Sequence, residues 1–214
     1  MSGDSEKRSF HGQLTKKYLK VPEDGRIETE SFLDASEQSV IPLLDKMGST
    51  AFVFVKSDVN GNISKLRKKH SENPERFKTL YAMVEDEMER KVTDDKNSAT
   101  DALIWLIRGL NFICTFVQLL SKHDETEENI QPCLQEAYDN ALKVHHGFLA
   151  RTSIPITFKM APNYSDLIGA LSNGVGKEII MEDINNYVEV LQENINAIHG
   201  FYVQQELKDT PLGS

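Results

Sequence analysis

Cysteine is scarce: the chain carries two, Cys114 and Cys133. Two are too few for a disulfide framework, and no cluster offers zinc-ligand spacing. Cys114 falls inside an apolar helical pattern, where a thiol is normally buried. A reducing cytoplasm is the expected compartment. Prolines number 7 and glycines 12 in 214 residues, and long stretches hold neither. That favours long helices over many short strands. No apolar run reaches the ~18 residues that crossing a bilayer takes. Residues 1–11 are polar and lack the apolar centre of a secretory signal. Positive charge is short as well. A formal net charge of -9 argues against nucleic acid as a partner and against adsorption of the whole surface to anionic membranes. Any membrane contact needs a local patch.

What is present suits one globular domain, with 39% hydrophobic and 27% charged residues. Residues 1–19 read as a flexible lead-in, 20–208 as the domain and 209–214 as a frayed tail. Helical periodicity covers 29–47 and 57–70. It resumes after Asn73-Pro74, a cap followed by proline at the first helical position. Further helices are expected at 98–122, 132–150, 153–160, 165–171 and 181–208. Residues 50–55 could form a short strand, but nothing offers it a partner. The expected fold is all-α, about eight helices in two layers. In the segment from Ser98, Leu103, Leu106, Leu110, Ile113, Val117 and Leu120 form one apolar stripe. Trp105, Phe112 and Phe116 form another, so this helix is apolar nearly all round and belongs between the layers.

Asp58, Asn62 and Lys65 recur at i, i+4 and i+7 and share one helix face. A solvated polar face explains such a triplet equally well. Its chemistry is nevertheless suggestive beside Trp105. Carboxylate, amide and ammonium together supply the acceptors and donors that an uncharged polyol needs, and an indole offers an apolar platform to a sugar ring. A packed core tryptophan is the plainer alternative. His145-His146 cannot chelate one ion from adjacent helical positions, which point about 100° apart. A neutral histidine donating one hydrogen bond is the economical reading.

The run Lys56-Ser57-Asp58-Val59-Asn60-Gly61-Asn62-Ile63-Ser64-Lys65 resembles the glycolipid transfer protein family. So do Ala102-Leu103-Ile104-Trp105-Leu106-Ile107-Arg108-Gly109-Leu110, His146-Gly147-Phe148-Leu149, and Ala161-Pro162 with Tyr164. The motifs keep the family's order from about Glu28 to Tyr202. The resemblance implies a hydrophobic pocket for ceramide chains with a sugar site at its mouth. On it, Asp58 would accept from the ceramide amide and a sugar hydroxyl, while Asn62 and Lys65 would bind further hydroxyls. Trp105 would stack on the first sugar, and His146, not His145, would donate to the amide carbonyl. Phe112 would line the pocket. Apart from the resemblance, the central helix with Phe112, Ile113 and Phe116 can supply part of an apolar pocket, and Phe148, Ile154, Ile156 and Lys159, an apolar cluster beside local cations, are expected to meet the membrane. The branch carrying phosphorylated ceramide needs cations at the headgroup. It places them at the positions of Asn62 and Phe112, so an amide and a phenyl ring there favour sugar. Arg108 and Lys65 keep the phosphate alternative open.

Three departures from the family stand out. Position 148 is Phe where animal members use Trp. The tail lacks the tyrosine that some members fold over the sugar. Asp101 is acidic one turn before Trp105, where it either touches a second sugar or caps the helix. The expectation is a carrier of a glycosphingolipid with transient membrane contact and no cofactor, metal or catalytic residue. A glycolipid sensor and a helical interaction adaptor are the competing classes. A glycosidase needs two carboxylates flanking the bond, and Asp58 has only Asp101 to offer.

Overall fold

The computed structural model describes residues 8–48, 52–207 and 212. They form α1 (Thr29–Lys46), α2 (Val53–Glu72), α3 (Leu80–Glu89), α4 (Ala99–Ser121), α5 (Gln131–Ala141), α6 (Phe148–Thr157), α7 (Tyr164–Ser172) and α8 (Lys177–Gln204). Tight 3₁₀ turns occupy Lys143–His145 and Phe158–Met160. Among the described residues there is no strand, only a single bridge between Glu28 and Thr79. The architecture is the expected all-α one, helices in two layers with α4 at the centre, contacting α2, α5 and α8.

α4 is central because nearly every one of its faces is apolar. Leu103, Leu106, Leu110, Ile113, Val117 and Leu120 are all fully buried, as are Phe112 and Phe116. Burial of an end with unpaired amides would be costly, and two residues prevent it. Ser98 Oγ accepts from the Asp101 N–H at 2.9 Å. The Glu87 carboxylate accepts from the N–H groups of Ala99 and Thr100 at 2.7 and 2.8 Å. Contrary to the expectation that no segment is apolar enough, α4 could cross a membrane by length and composition; being mostly buried, it is the core helix.

Several boundaries differ from expectation. Val53, Phe54 and Val55, expected within a possible strand, form the first turn of α2. Residues 50 and 51 of that expectation lie outside the described residues. Without a partner strand, β-branched residues follow the helical period that Val59, Ile63 and Leu66 continue. Asn73 Oδ1 accepts from the Arg76 N–H at 3.1 Å but closes only a turn. α3 starts later, capped by Thr79. The helix expected over 132–150 stops at Ala141, and His146 adopts an extended backbone, φ -91° and ψ 142°. The two histidines therefore do not share a helix.

Residues 8–19, set aside as lead-in, pack against α7 and α8. Ser9 and His11 are buried. Asp183 of α8, itself buried, accepts from the Ser9 N–H at 3.1 Å and the Ser9 hydroxyl at 2.7 Å. The Phe10 N–H donates to Leu171 O at 2.8 Å. A buried carboxylate without donors would be expensive, so the segment is fixed by Asp183 rather than by its own periodicity. Gly12 is required there, because a Cβ would stand 2.3 Å from Asp183 Oδ2. Burial lowers the His11 imidazole to about 4, against the pull of Asp183, and keeps it neutral. At the other end Asn111 Nδ2 donates to Leu212 O at 3.0 Å, so this residue of the tail lies against α4.

Candidate functional site

α2 and α4 pack side by side and run in opposite directions. Asp58 faces Trp105 across one cavity, while Lys65, about two turns further along α2, faces Ala99 at the start of α4. The cavity beside Asp58 and Trp105 is the site. It holds ≈220 Å³. Its walls are mostly apolar, with Val55 and Val59 from α2 and Phe112 from α4. Leu142, Ile154 and Phe158 close the far side. Gly109 on α4 approaches Val59 closely enough that a Cβ would lie 3.6 Å from its Cγ2, and the missing side chain leaves room between the helices.

The polar groups sit at the mouth. Asn62 is buried, and its amide donates to Asp58 Oδ2 at 3.3 Å. Asp58 reaches solvent at the rim, yet the surrounding protein desolvates its carboxyl and raises its pKa. The nearby Lys65 charge opposes that rise, and Asp101 adds to it. Lys65 Nζ donates to Lys96 O at 3.1 Å, which turns the ammonium toward the loop before α4. Asp101 and Asp58 are thus electrostatic neighbours, and Asp101 also sits in the first turn of α4, where Ser98 caps it.

Trp105 is half-buried. His146 lies nearly parallel to its ring, at 6.0 Å and 14°, and His145 meets it edge-on at 6.3 Å. The Arg108 guanidinium lies 5.0 Å from the indole centroid, within range of a cation–π contact. His146 Nδ1 is 3.1 Å from the hydroxyl of Tyr138. Burial raises the phenol's pKa and, first among its causes, lowers that of His146, with Arg151 and Arg108 adding to the effect. A protonated phenol donating to a neutral imidazole Nδ1 leaves Nε2–H free to donate outward. Tyr138 is a site residue that sequence reasoning missed. It lies eight residues before His146, in a segment whose periodicity marks it only as core.

The other expected residues divide. Phe112 lines the cavity and stacks with Phe158 at 6.4 Å. Phe116 is fully buried one turn deeper and is not among the cavity walls. Phe148 and Ile156 are 79% and 62% exposed, and Lys159 is exposed. Ile154 is half-buried and lines the cavity. Three residues not singled out from sequence join the exposed apolar set: Phe54 at 76%, Leu149 at 79% and Met160 at 55%. Phe54 also lines the cavity, so the start of α2 and the whole of α6 flank one opening.

The family model for glycolipid transfer proteins matches residues 27–173. The chain belongs to the glycolipid transfer protein family. Members are lipid transfer proteins, not enzymes, and no chemical step is required of this site. A zebrafish glycolipid transfer protein is 34% identical over 193 residues, 87% of this chain and 92% of that protein. The mouse pleckstrin homology domain-containing family A member 8 is 37% identical over 191 residues, 86% of this chain. The chain spans about a third, 36%, of the length of that relative. Among solved structures, the GLTP-fold of FAPP2, described as selecting simple glycosphingolipids, superposes with a TM-score of 0.85 at 32% identity. It covers 94% of this chain and 98% of its own. The glycolipid transfer protein fold is therefore shared along nearly the whole chain.

Proposed function

We propose that the chain binds one glycosphingolipid and carries it between membranes unchanged. The observation that carries this reading is the cavity whose walls are mostly apolar and whose mouth holds Asp58, Trp105 and His146. Asp58 accepts from the ceramide amide and a sugar hydroxyl, Asn62 and Lys65 bind further hydroxyls, and Trp105 supports the first sugar ring. His146, held by Tyr138, donates to the amide carbonyl. The acyl chains pass between Val59, Phe112 and Phe158. At ≈220 Å³ the cavity is below the ~300–1,000 Å³ usual for small-molecule sites, so loading parts its walls. α6 is the wall built to move, since none of its residues is buried.

Sugar is favoured over phosphate by charge. The charge of Asp101 acts on Asp58, Asn62 offers an amide where a phosphate needs a cation, and Arg108 is buried beside Trp105. The likeness to FAPP2 supports the same choice. Free thiols at Cys114 and Cys133 suit a carrier working in the cytoplasm. The test is a vesicle-to-vesicle transfer assay with glucosylceramide, galactosylceramide, ceramide 1-phosphate and free ceramide. The two glycosylceramides are expected to move and the other two to lag. Preferential transfer of ceramide 1-phosphate would overturn the sugar assignment.

The exposed set Phe54, Phe148, Leu149, Ile156 and Met160, with Lys159 beside it, is the membrane contact of this reading. Each phenyl or aliphatic group inserted into the interface contributes about 1 kcal/mol or more. Changing Phe148 and Leu149 to serine is expected to slow transfer about tenfold. Binding of detergent-dispersed lipid should persist, because neither side chain lines the cavity. An unaltered transfer rate would remove α6 from the contact.

A further inference from the structure

Residues 8–19, anchored on α8 by Asp183, border another cavity, of ≈390 Å³, which shares no residue with the one beside Trp105. That volume falls within the ~300–1,000 Å³ usual for small-molecule sites. Arg8, His11, Lys17 and Tyr18 line it from the segment, and Asp183 and Tyr187 from α8. From Arg8 to Pro22 the chain carries Arg8, Lys16, Lys17 and Lys20 and no carboxylate, although its net charge is -9. Lys16 pairs with Asp34 at 3.1 Å. Lys17 is exposed, and its Nζ donates at 2.9 Å to a neutral group, Gly12 O. Arg8 Nη1 lies 3.7 Å from Asp183 Oδ1, while Oδ2 is occupied by the Ser9 donors. Two cations against one carboxylate leave the lining one positive charge in excess.

His11 is only 2% exposed, and neither of its ring nitrogens has a hydrogen-bond partner among the described residues. Burial of unpaired polar atoms is costly. Held neutral, the imidazole has one N–H and one lone pair, the complement of a hydroxyl group. Tyr187 packs against it at 4.8 Å between ring centroids, and Tyr18 lies 5.9 Å from Tyr187. The phenol rings offer a platform of the kind a sugar ring takes. We infer that this cavity is a ligand site separate from the glycolipid cavity, for a small hydroxylated carboxylate of the sugar-acid class. The carboxylate sits between Lys17 and Arg8, the ring lies on Tyr187, and a hydroxyl supplies His11 with the partner the protein does not. A neutral sugar leaves the excess charge unmatched, and a dianion meets Asp183.

The experiment is calorimetric titration of the full chain with D-glucuronate, D-glucose and inorganic phosphate, with the His11 ring resonances followed by NMR. Glucuronate is expected to bind about tenfold more tightly than either of the others and to shift the His11 signals. Lys17→Met should weaken glucuronate binding about tenfold and keep its Tm and glycolipid transfer, because the side chain is exposed and lies outside the other cavity. No glucuronate binding up to about 10 mM, His11 signals that stay in place, or a Lys17→Met variant that binds as the wild type does would overturn the site. Glucose or phosphate binding as tightly as glucuronate would overturn the sugar-acid class.

Discussion

Asp58→Val is expected to lower glycolipid transfer about 100-fold, or ~2.7 kcal/mol, with no loss of thermal stability. The carboxylate is assigned two hydrogen bonds to the ligand, each worth roughly 1.5–3 kcal/mol when charge-assisted. Valine makes neither. It also leaves the Asn62 amide without the acceptor it now has at 3.3 Å. Stability should follow a different course. Burial raises the pKa of Asp58, so in the folded chain it holds its proton to a higher pH than in the unfolded chain. The ionised form therefore costs stability, and that cost grows as pH climbs through the raised pKa and is complete at neutral pH. Removing the group removes the cost, which offsets the loss of the long 3.3 Å contact from Asn62, and the Tm should stay level. Binding has the opposite dependence. The ligand needs the ionised acceptor, so affinity should fall on acidification at a higher pH than an ordinary aspartate would give. The variant should lack that acid limb. Transfer at the wild-type rate, or an acid limb that survives in the variant, would exclude Asp58 from the headgroup site.

Asp86→Ala should destabilise the fold by about 3 kcal/mol, measured as a lowered Tm and denaturant midpoint. Asp86 is 5% exposed and binds Lys69 and Arg76 at 2.7 Å each and Arg90 at 3.3 Å. Burial alone would raise its pKa, yet the Lys69 hydrogen bond and the surrounding cations win, and the net shift is downward. That stabilisation is present above the unfolded-state pKa of an aspartate and is lost as pH falls through the depressed folded value. Alanine leaves the buried Lys69 ammonium with the exposed Glu72, at 3.2 Å, and the Phe77 ring, 4.6 Å away. Because the cluster joins α2 to α3, the variant should also loosen the groove at Lys65. A Tm close to that of the wild type would mean that solvent screens the cluster far more than its burial implies.

The reach of sequence reasoning is clearest at α4 and at its partner face. The sidedness of α4 was legible because no arrangement other than a central one buries Leu103, Leu106 and Leu110 together with Phe112 and Phe116. The Asp58, Asn62, Lys65 face was legible because i, i+4 and i+7 meet on any α-helix. The start of α3 was misread because the Asn73-Pro74 cap is a local preference, and Thr79 with its bridge to Glu28 overrides it. The lead-in was misread for the converse reason. Nothing in residues 8–19 announces that a carboxylate 174 positions away will hold Ser9. Tyr138 was missed since its hydroxyl acquires meaning only beside His146, after the α5 helix has ended and the chain has turned.

The amino-acid order by itself determined the all-helical class, the buried central helix and the family, since periodicity and contiguous motifs are local properties. Tertiary structure alone decided which residues share the cavity. It set Ile154 in the cavity wall, left Phe116 in the core, pointed Lys65 toward the next loop and joined Phe54 to α6 at one opening. Those outcomes depend on the antiparallel packing of α2 against α4 and on where the turn after α5 delivers His146. Distances between segments far apart in the chain follow from packing, and no spacing within a segment encodes them.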